Sequence, residues 1–235
     1  MAGDASLPEI EVPRDVREAV DELASRFGDN LRAVLWHGSL ARGEAQPGSD
    51  VDLILLFRRV DDDVLLGLRG TFLEAARTGW STNVLSDAEF HQLPASRRLY
   101  FGHGFRVLHG EFEPLRLSKS DVLAYLRERA REVQYQCRDR LINKQRALPT
   151  VHRMAKYAVF LMKARHLFEH DHYPLTRAEL LTLVDNREER QIVEWVEGWE
   201  DVRLQFERDP IPLILSLDAF ARRLIESLPP NTNES

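Results

Sequence analysis

The chain has 235 residues, of which 43% are hydrophobic, and its formal net charge is −6. This length forms one large domain or two small ones and buries enough surface to fold without staples. The single cysteine, Cys137, excludes an intrachain disulfide, so we expect a protein of the reducing cytoplasm. No stretch approaches the ~20 apolar residues of a membrane span, and Met1 to Val12 lacks a signal-peptide pattern. The acidic balance disfavours nucleic acid as a partner.

Helices and strands alternate in the first half of the chain. Apolar residues at helical spacing predict a helix from Val16 to Phe27, preceded by a loose leader at residues 1–12. Two apolar runs, Leu31–Trp36 and Val51–Phe57, predict buried strands. The chain therefore opens with a helix, a strand, a loop and a second strand.

Three aspartates at residues 61–63 follow the second strand and indicate the N-terminal cap of a helix that extends to about Arg77. A metal site is the alternative for these aspartates, although adjacent side chains point in different directions. A third strand is predicted at Trp80–Leu85 and a short helix at residues 87–93. Residues 105–110 then indicate a short edge strand that ends in a turn.

From Lys119 onward the sequence changes to helical periodicity with few glycines. We therefore predict an α+β domain at residues 1–114, with a small mixed sheet flanked by helices, followed by an all-α helical domain at residues 115–235. The helices predicted in the second domain are 119–146, 150–170, 176–185, 187–207 and 213–228.

The motif that organises the first domain lies between the first two strands. Gly38 and Ser39 end the first strand with no side chain to keep a phosphate from the backbone. Asp50 and Asp52 begin the second strand two residues apart, so they point to the same face of the sheet. A hairpin with a solvated acidic turn is the alternative, but it does not explain two aspartates on one face of an apolar strand. The arrangement favours a hard divalent cation that carries a polyphosphate.

This motif resembles the signature of the DNA polymerase β-like nucleotidyltransferase superfamily, a Gly-Ser pair followed by a spacer and then Asp-hydrophobic-Asp-hydrophobic. In this chain the Gly38-Ser39 pair is followed by ten residues and then by Asp-Val-Asp-Leu at residues 50–53. The resemblance implies an N-terminal nucleotidyltransferase domain that uses a nucleoside triphosphate as substrate.

The resemblance also implies roles for individual residues. Asp50 and Asp52 would be catalytic and would hold two Mg²⁺ ions, which neutralise the triphosphate and align the reacting groups. Ser39 and the backbone at Gly38 would contact the terminal phosphates. Arg42 would add a charge-assisted contact, the alternative being a surface ion pair with a neighbouring glutamate.

Lys156 is a further candidate for nucleotide binding, in the helical domain. Lys156 and Lys163 are seven residues apart and share a predicted helix face, where they could meet a triphosphate or simply be solvated. His37, directly before the Gly-Ser pair, could touch a ligand or pack under the loop. Arg165 and His170 match the Arg-x4–6-His motif of HEPN ribonucleases, a match that chance also explains.

The superfamily pattern requires a third carboxylate on the third strand, and the position that aligns with it is Asn83. An amide cannot act as a general base, and it is a weaker Mg²⁺ ligand than a carboxylate. Asp87 or Glu89 could replace the missing group from nearby, or Glu132 could supply it from the helical domain. Otherwise the protein binds a nucleotide without turning it over.

Three functions follow from the resemblance. The first is Mg²⁺-dependent transfer of a nucleoside monophosphate, AMP from ATP, to a hydroxyl of a small-molecule acceptor. The two-domain order is similar to that of the aminoglycoside adenylyltransferases, in which an acidic cleft receives a cationic drug. The second is a minimal nucleotidyltransferase antitoxin that modifies or sequesters a HEPN-type protein. The third is a catalytically silent nucleotide-binding regulator, which Asn83 favours.

Overall fold

The structure is a computed structural model that describes residues 7–46, 48–74, 79–114, 116–143 and 148–230. The chain divides into two compact units, one ending at Arg116 and the other beginning at Leu117. The predicted helix ends at Arg77 and residue 146, and the first six residues of the predicted leader, lie outside the described residues.

The N-terminal unit alternates helices and strands. Its elements are α1 (Arg14–Phe27), β1 (Leu31–His37), α2 (Gly38–Arg42), β2 (Val51–Phe57), α3 (Asp62–Arg69), β3 (Trp80–Ser86), α4 (Asp87–His91), α5 (Ala95–Phe101) and β4 (Arg106–Gly110). A wider helical turn, Gly70–Glu74, continues α3. Asp61 caps α3, because its side chain accepts a hydrogen bond from the amide of Val64. The helix cap predicted at residues 61–63 is therefore Asp61, and the other two aspartates lie in the first turn of α3.

The four strands form one mixed sheet in the order β3-β2-β1-β4. Strand β1 pairs antiparallel with β2 and with β4, whereas β2 and β3 are parallel. The edge strand β4 agrees with the predicted one at residues 105–110. This small mixed sheet with flanking helices confirms the α+β fold predicted for the first domain.

Both faces of the sheet are covered by apolar side chains. One face packs against α1 and α3, through a core that includes Leu23, Trp36, Leu55 and Phe57. The other face packs against α4 and α5, through Ala33, Leu35, Ile54, Leu56, Phe90 and Phe101. The alternation of side chains along β2 assigns Ile54 and Leu56 to the second face, together with Asp52.

The second unit is helical throughout its described residues. Its helices are α6 (Lys119–Ile142), α7 (Leu148–His170), α8 (Arg177–Leu183), α9 (Arg187–Glu197), α10 (Trp199–Arg208) and α11 (Ile211–Ser227). The single helix predicted at 187–207 is wrong, because the chain breaks at Gly198 and forms α9 and α10. Glycine is a poor helix former and commonly ends a helix. None of the described helices is long and apolar enough to cross a membrane.

Candidate nucleotide-binding and catalytic site

The candidate site lies where β1 ends and β2 begins, because the two strands are antiparallel and His37 pairs with Asp52. Gly38 follows His37 with a φ of +81°, and a Cβ built on it would lie 2.0 Å from Oδ2 of Asp52. A side chain at this position would therefore displace the carboxylate or the backbone. Gly38 and Asp52 are thus in direct contact across the end of the sheet.

A short helix occupies the start of the loop that the sequence predicts between the first two strands. Helix α2 starts at Gly38 and ends at Gly43, whose left-handed conformation directs its amide back to the carbonyl groups of Ser39 and Leu40. Ser39 is half-buried in the first turn. The first amide groups of a helix have no carbonyl partner within it, so this turn presents hydrogen-bond donors beside Asp52.

The second predicted carboxylate, Asp50, precedes β2 and is exposed to solvent, whereas Asp52 is half-buried. The amide of Val51 donates a hydrogen bond of 2.9 Å to the carbonyl of Gly79. A Cβ on Gly79 would lie 3.8 Å from Oδ1 of Asp50, so this carboxylate lies beside the start of β3. The structure therefore brings Asp50, Asp52, Gly38 and Ser39 to one end of the sheet.

The residue directly beside Asp52 on β3 is a serine. Asp52 pairs with Ser81, and Asn83 pairs with Ile54 one step further along the same face. The residue adjacent to Asp52 is therefore Ser81, two positions before the Asn83 that the sequence analysis aligned with the third carboxylate. The pairing register of β2 and β3 decides which side chain is adjacent to Asp52. Neither Ser81 nor Asn83 is acidic, so the departure from the superfamily pattern stands.

The predictions that Asp87 or Glu89 replaces the third carboxylate are wrong. Asp87 and Glu89 follow the far end of β3, and Ser86, the last residue of that strand, pairs with Phe57. Five residues of strand separate Ser81 from Ser86, a distance of about 16 Å. Hydrogen bonds from Ser86 hold the carboxylate of Glu89 and lower its pKa. Both acidic side chains therefore lie too far along the strand to reach Asp52.

The donor set fits one cation better than two. The carboxylate oxygens of Asp50 and Asp52 suit Mg²⁺, which binds through one or two carboxylates and completes its shell with waters and substrate phosphates. Among the described residues there is no cluster of three His, Cys, Asp or Glu side chains that could hold a metal. The residues present thus fit a Mg²⁺ ion that arrives with a triphosphate, and a second ion lacks the carboxylate that Ser81 replaces.

Arg42 takes part in a nearly buried ion pair. Its Nε donates a hydrogen bond of 2.8 Å to Glu44, and the two side chains are only 11% and 9% exposed. Arg42 therefore forms the ion pair with a neighbouring glutamate that was the alternative to phosphate binding, but this pair is nearly buried and not on the surface. The stem of Arg42 also packs on Gly104, where a Cβ would lie 3.0 Å from its Cδ. This ion pair fixes the end of α2.

His37 packs beneath the loop and is 2% exposed. Its Nε2 donates to the carbonyl groups of Tyr100 and His103 at 2.9 and 3.2 Å, and its ring lies 4.5 Å from that of Tyr100. Burial, and next the charge of Arg42, lower the pKa of His37 to about 4. The imidazole is therefore neutral and joins the end of β1 to the end of α5 and to the segment that follows it.

Arg106 lies on β4 and donates a hydrogen bond to α2, a role that the sequence analysis did not predict. Its Nε donates a hydrogen bond of 2.8 Å to the carbonyl of Ala41, and its Nη2 donates to the carbonyl of Pro8. Ile10 contacts Gly43, where a Cβ would lie 3.1 Å from its Cδ1. The prediction of a loose leader is thus wrong for residues 7–12, whose alternating apolar residues were a signal of packing.

In the helical unit, Lys156 is exposed on α7, one turn after His152. The ring of His152 stacks flat on Trp199 at 3.9 Å, and burial, followed by the charges of Lys156 and Arg177, lowers the pKa of His152 to about 4. Lys163 does not share the exposure of Lys156, because it is buried and donates to the carbonyl of Leu175 at 2.7 Å.

The residues of the HEPN-like match have separate environments. Arg165 donates to both carboxylate oxygens of Glu189, at 3.0 and 2.5 Å, while His170 lies exposed at the end of α7. A bidentate ion pair with a buried carboxylate is a structural use of an arginine. The arrangement gives no support to a ribonuclease site in this helix.

Comparisons with known proteins agree with this geometry. The nucleotidyltransferase domain family matches residues 16–98, a range that includes Gly38, Ser39, Asp50 and Asp52. No curated protein sequence matches the chain. The chain has the fold of spectinomycin adenyltransferase AAD(9) from Enterococcus faecialis, solved with ATP and spectinomycin, with a TM-score of 0.60 and 10% identity over 88% of this chain and 98% of that one. Residues 16–98 therefore match the nucleotidyltransferase domain family, and the chain has the two-domain fold of an adenyltransferase.

Proposed function

We propose that the chain transfers AMP from ATP to a hydroxyl group of a small cationic acceptor of the aminoglycoside class. The observation that carries the proposal is the contact between Gly38 and the carboxylate of Asp52, beside the donors of the first turn of α2. This pairing places hydrogen-bond donors for a phosphate beside a carboxylate that can bind a cation. The resemblance to AAD(9), solved with ATP and spectinomycin, supports the choice of nucleotide and acceptor.

In this mechanism the chain positions the triphosphate and stabilises its charge. Ser39 and the amides at the start of α2 bind the terminal phosphates. Asp50 and Asp52 would hold a Mg²⁺ ion bound with the nucleotide, and that ion would supply charge neutralisation at the phosphates. The acceptor oxygen attacks the α-phosphorus, the bond to pyrophosphate breaks, and the hydroxyl proton leaves to a base.

The test is transfer of label from α-labelled ATP to a panel of aminoglycosides that includes spectinomycin and streptomycin, with and without Mg²⁺. We expect labelled drug with the native chain and a loss of about 100-fold or more with Asp52→Asn. Asp63→Asn is the matched control, because Asp63 is exposed in the first turn of α3. Label that moves equally well with Asp52→Asn would exclude the proposed site.

A catalytically silent nucleotide-binding regulator is the second candidate, and one observation favours it. The neighbour of Asp52 on β3 is Ser81, so the N-terminal unit has no third carboxylate at that position. Calorimetric titration with ATP and Mg²⁺, run beside the transfer assay, separates the candidates. Binding that depends on Asp52, with no transfer to any acceptor, would favour the regulator.

A further inference from the structure

Three histidine rings meet at the C-terminal end of α7, in the helical unit. His166 and His170 lie one turn apart on this helix, with ring centroids 4.6 Å apart. The ring of His172, from the turn that follows, lies 5.4 Å from that of His166. His170 is exposed to solvent and the other two are half-buried. The transfer reaction proposed above gives these three rings no role.

The turn after α7 folds back onto the helix and is held there. Asp171 reverses the chain with a left-handed φ of +55°, a conformation that aspartate tolerates better than most residues. Lys163 and His166, both on α7, donate to the carbonyl groups of Leu175 and His172 at 2.7 and 2.9 Å. The backbone of the turn is therefore fixed against the last two turns of α7 by the chain itself.

The contact with this turn decides which ring nitrogen of His166 is available to a ligand. Its Nδ1 lies 2.9 Å from the carbonyl oxygen of His172, and a carbonyl oxygen only accepts hydrogen bonds. Nδ1 therefore carries the proton, and Nε2 of the neutral ring keeps its lone pair. Histidines that bind metals are held in this same way, with the other ring N–H donated to a carbonyl or a carboxylate.

His170 offers a second imidazole at a spacing that suits chelation. Side chains four residues apart are neighbours on one side of a helix. Two histidines at this spacing hold zinc in the H-E-x-x-H helix. Residues 166–170 read His-Leu-Phe-Glu-His, which is the order of the related H-x-x-E-H metal motif. The pentapeptide alone does not define a peptidase, so only its two histidine ligands carry over.

The charges around the rings favour a cation. The carboxylate of Glu169 lies 3.8 Å from Nε2 of His170, and Glu179 accepts a hydrogen bond of 2.8 Å from Nε2 of His172. The neighbouring cation on α7, Arg165, is paired with a buried glutamate. Two carboxylates beside the rings therefore lower the energy of a positive ion at this place.

We propose that His166 and His170 chelate a divalent transition-metal ion of the Zn²⁺ class. Imidazole nitrogen suits Zn²⁺, Ni²⁺ and Cu²⁺, whereas Mg²⁺ takes oxygen ligands. In the part of the chain that the structure describes, no three His, Cys, Asp or Glu side chains form a ready metal cluster. The site is accordingly a chelate of two ligands, and water completes the coordination of the ion. It is independent of the proposed nucleotidyl transfer.

The test is calorimetric titration of the untagged full chain with Zn²⁺, without nucleotide and in an excess of Mg²⁺ that occupies sites built from oxygen ligands. We expect one Zn²⁺ ion per chain. His170→Gln removes an exposed ligand, and circular dichroism verifies that its fold is intact. We expect its affinity for Zn²⁺ to fall about tenfold or more, because even the hydrogen-bond partners of metal-bound histidines contribute that much. His166→Gln should weaken binding at least as strongly.

His91→Gln is the matched control. His91 is another exposed histidine near a helix end, and it lies in the N-terminal unit. We expect this variant to bind Zn²⁺ as the native chain does. Nitrogen NMR of the histidine-labelled chain gives a second measurement. Zinc should shift the Nε2 resonance of His166, while its Nδ1 keeps the proton that it donates to the turn.

Three results would overturn the inference. The first is a native chain that binds no Zn²⁺. The second is His170→Gln that binds Zn²⁺ as tightly as the native chain. The third is an equal loss of affinity in His170→Gln and His91→Gln, which would assign the ion to scattered surface histidines. Because the titrations contain no nucleotide, none of these results bears on the proposed transfer reaction.

Discussion

Gly38 and Asp52 are in such close contact that the missing side chain of the glycine is part of the site. A Cβ at position 38 would lie 2.0 Å from Oδ2 and 2.9 Å from Cγ of Asp52. The contact joins the phosphate-binding turn to the metal-binding strand, although fourteen positions separate the two residues in the sequence. Any side chain at position 38 must move the carboxylate, the turn, or both.

The first prediction is that Gly38→Ala abolishes nucleotidyl transfer. The left-handed φ of +81° costs about 1–2 kcal/mol for any residue other than glycine. Displacement of the Asp52 carboxylate is the additional effect. We therefore expect a loss of kcat of about 100-fold or more, beyond the loss of stability. Transfer assays and thermal unfolding of the same variant measure the two effects separately.

Gly48→Ala is the matched control for this prediction. Gly48 has the same φ of +81°, but a Cβ there would meet no atom within 4 Å. We expect a similar loss of stability, about 1–2 kcal/mol, with most of the activity kept. Equal loss of activity in the two variants would show that backbone strain, and not contact with Asp52, is the cause.

The sequence predicts those features of the site that depend only on residues close together in the chain. The Gly38-Ser39 pair and the alternation of Asp50 and Asp52 are local patterns, and each is visible in a few consecutive residues. The assignment of Asn83 failed for a different reason. The position of Ser81 beside Asp52 depends on how two distant strands pair, and local periodicity carries no information on that register.

Long-range packing likewise hid the role of Arg106. Nothing in its local sequence indicates that the guanidinium reaches both Ala41 and Pro8, because those contacts span 65 and 98 positions. Similarly, the spacing of Lys156 and Lys163 predicted one shared face. In the structure Lys163 is buried, and its ammonium group donates a hydrogen bond to the carbonyl of Leu175. Two residues on one helix face can therefore differ in exposure to solvent.

The second prediction concerns Arg106, which we expect to position α2 for the nucleotide. Arg106→Met keeps much of the apolar stem but removes the donors to Ala41 and Pro8. The loss of charged hydrogen bonds should cost about 2 kcal/mol of unfolding free energy. We also expect KM for ATP to rise by about tenfold while kcat changes less, because positioning of the phosphates is affected first.

Arg97→Met provides the control for Arg106, since Arg97 is an exposed residue of the same unit. It should leave both KM and unfolding free energy nearly unchanged. If Arg106→Met lowers stability but leaves KM for ATP at the native value, Arg106 supports the fold and does not position α2.

The third prediction is that Glu189→Gln destabilises the helical unit. Glu189 is 6% exposed in its side chain and accepts two hydrogen bonds from Arg165, so its removal leaves a guanidinium without its partner carboxylate. Breaking such a pair costs about 3 kcal/mol, reduced somewhat because Arg165 is partly exposed. Chemical denaturation followed by far-UV circular dichroism measures the change.

The preceding residue, Glu188, is the natural control. It pairs with Arg223 at 2.7 Å but is 63% exposed. Exposed ion pairs contribute little, so Glu188→Gln should change the unfolding free energy by less than about 1 kcal/mol. Similar effects of the two substitutions would mean that burial of Glu189 does not determine the strength of its ion pair.

The last prediction concerns the acid sensitivity that His152 confers. Burial, and then the charges of Lys156 and Arg177, lower the pKa of His152 from 6.5 to about 4 in the folded chain. Above the unfolded pKa of 6.5, the imidazole is neutral in both states and contributes no pH dependence. As pH falls from 6.5 towards 4, the unfolded chain binds a proton that the folded chain does not. Stability is therefore lost as pH falls through this window.

His152→Phe removes this proton while keeping a flat ring against Trp199. We expect the native chain to lose on the order of 1 kcal/mol relative to the variant between about pH 7.5 and about pH 5, a figure reduced for the partial exposure of His152. Calorimetric unfolding at the two pH values measures the difference. If the native chain and His152→Phe lose stability in parallel over this range, the fold does not lower the pKa of His152.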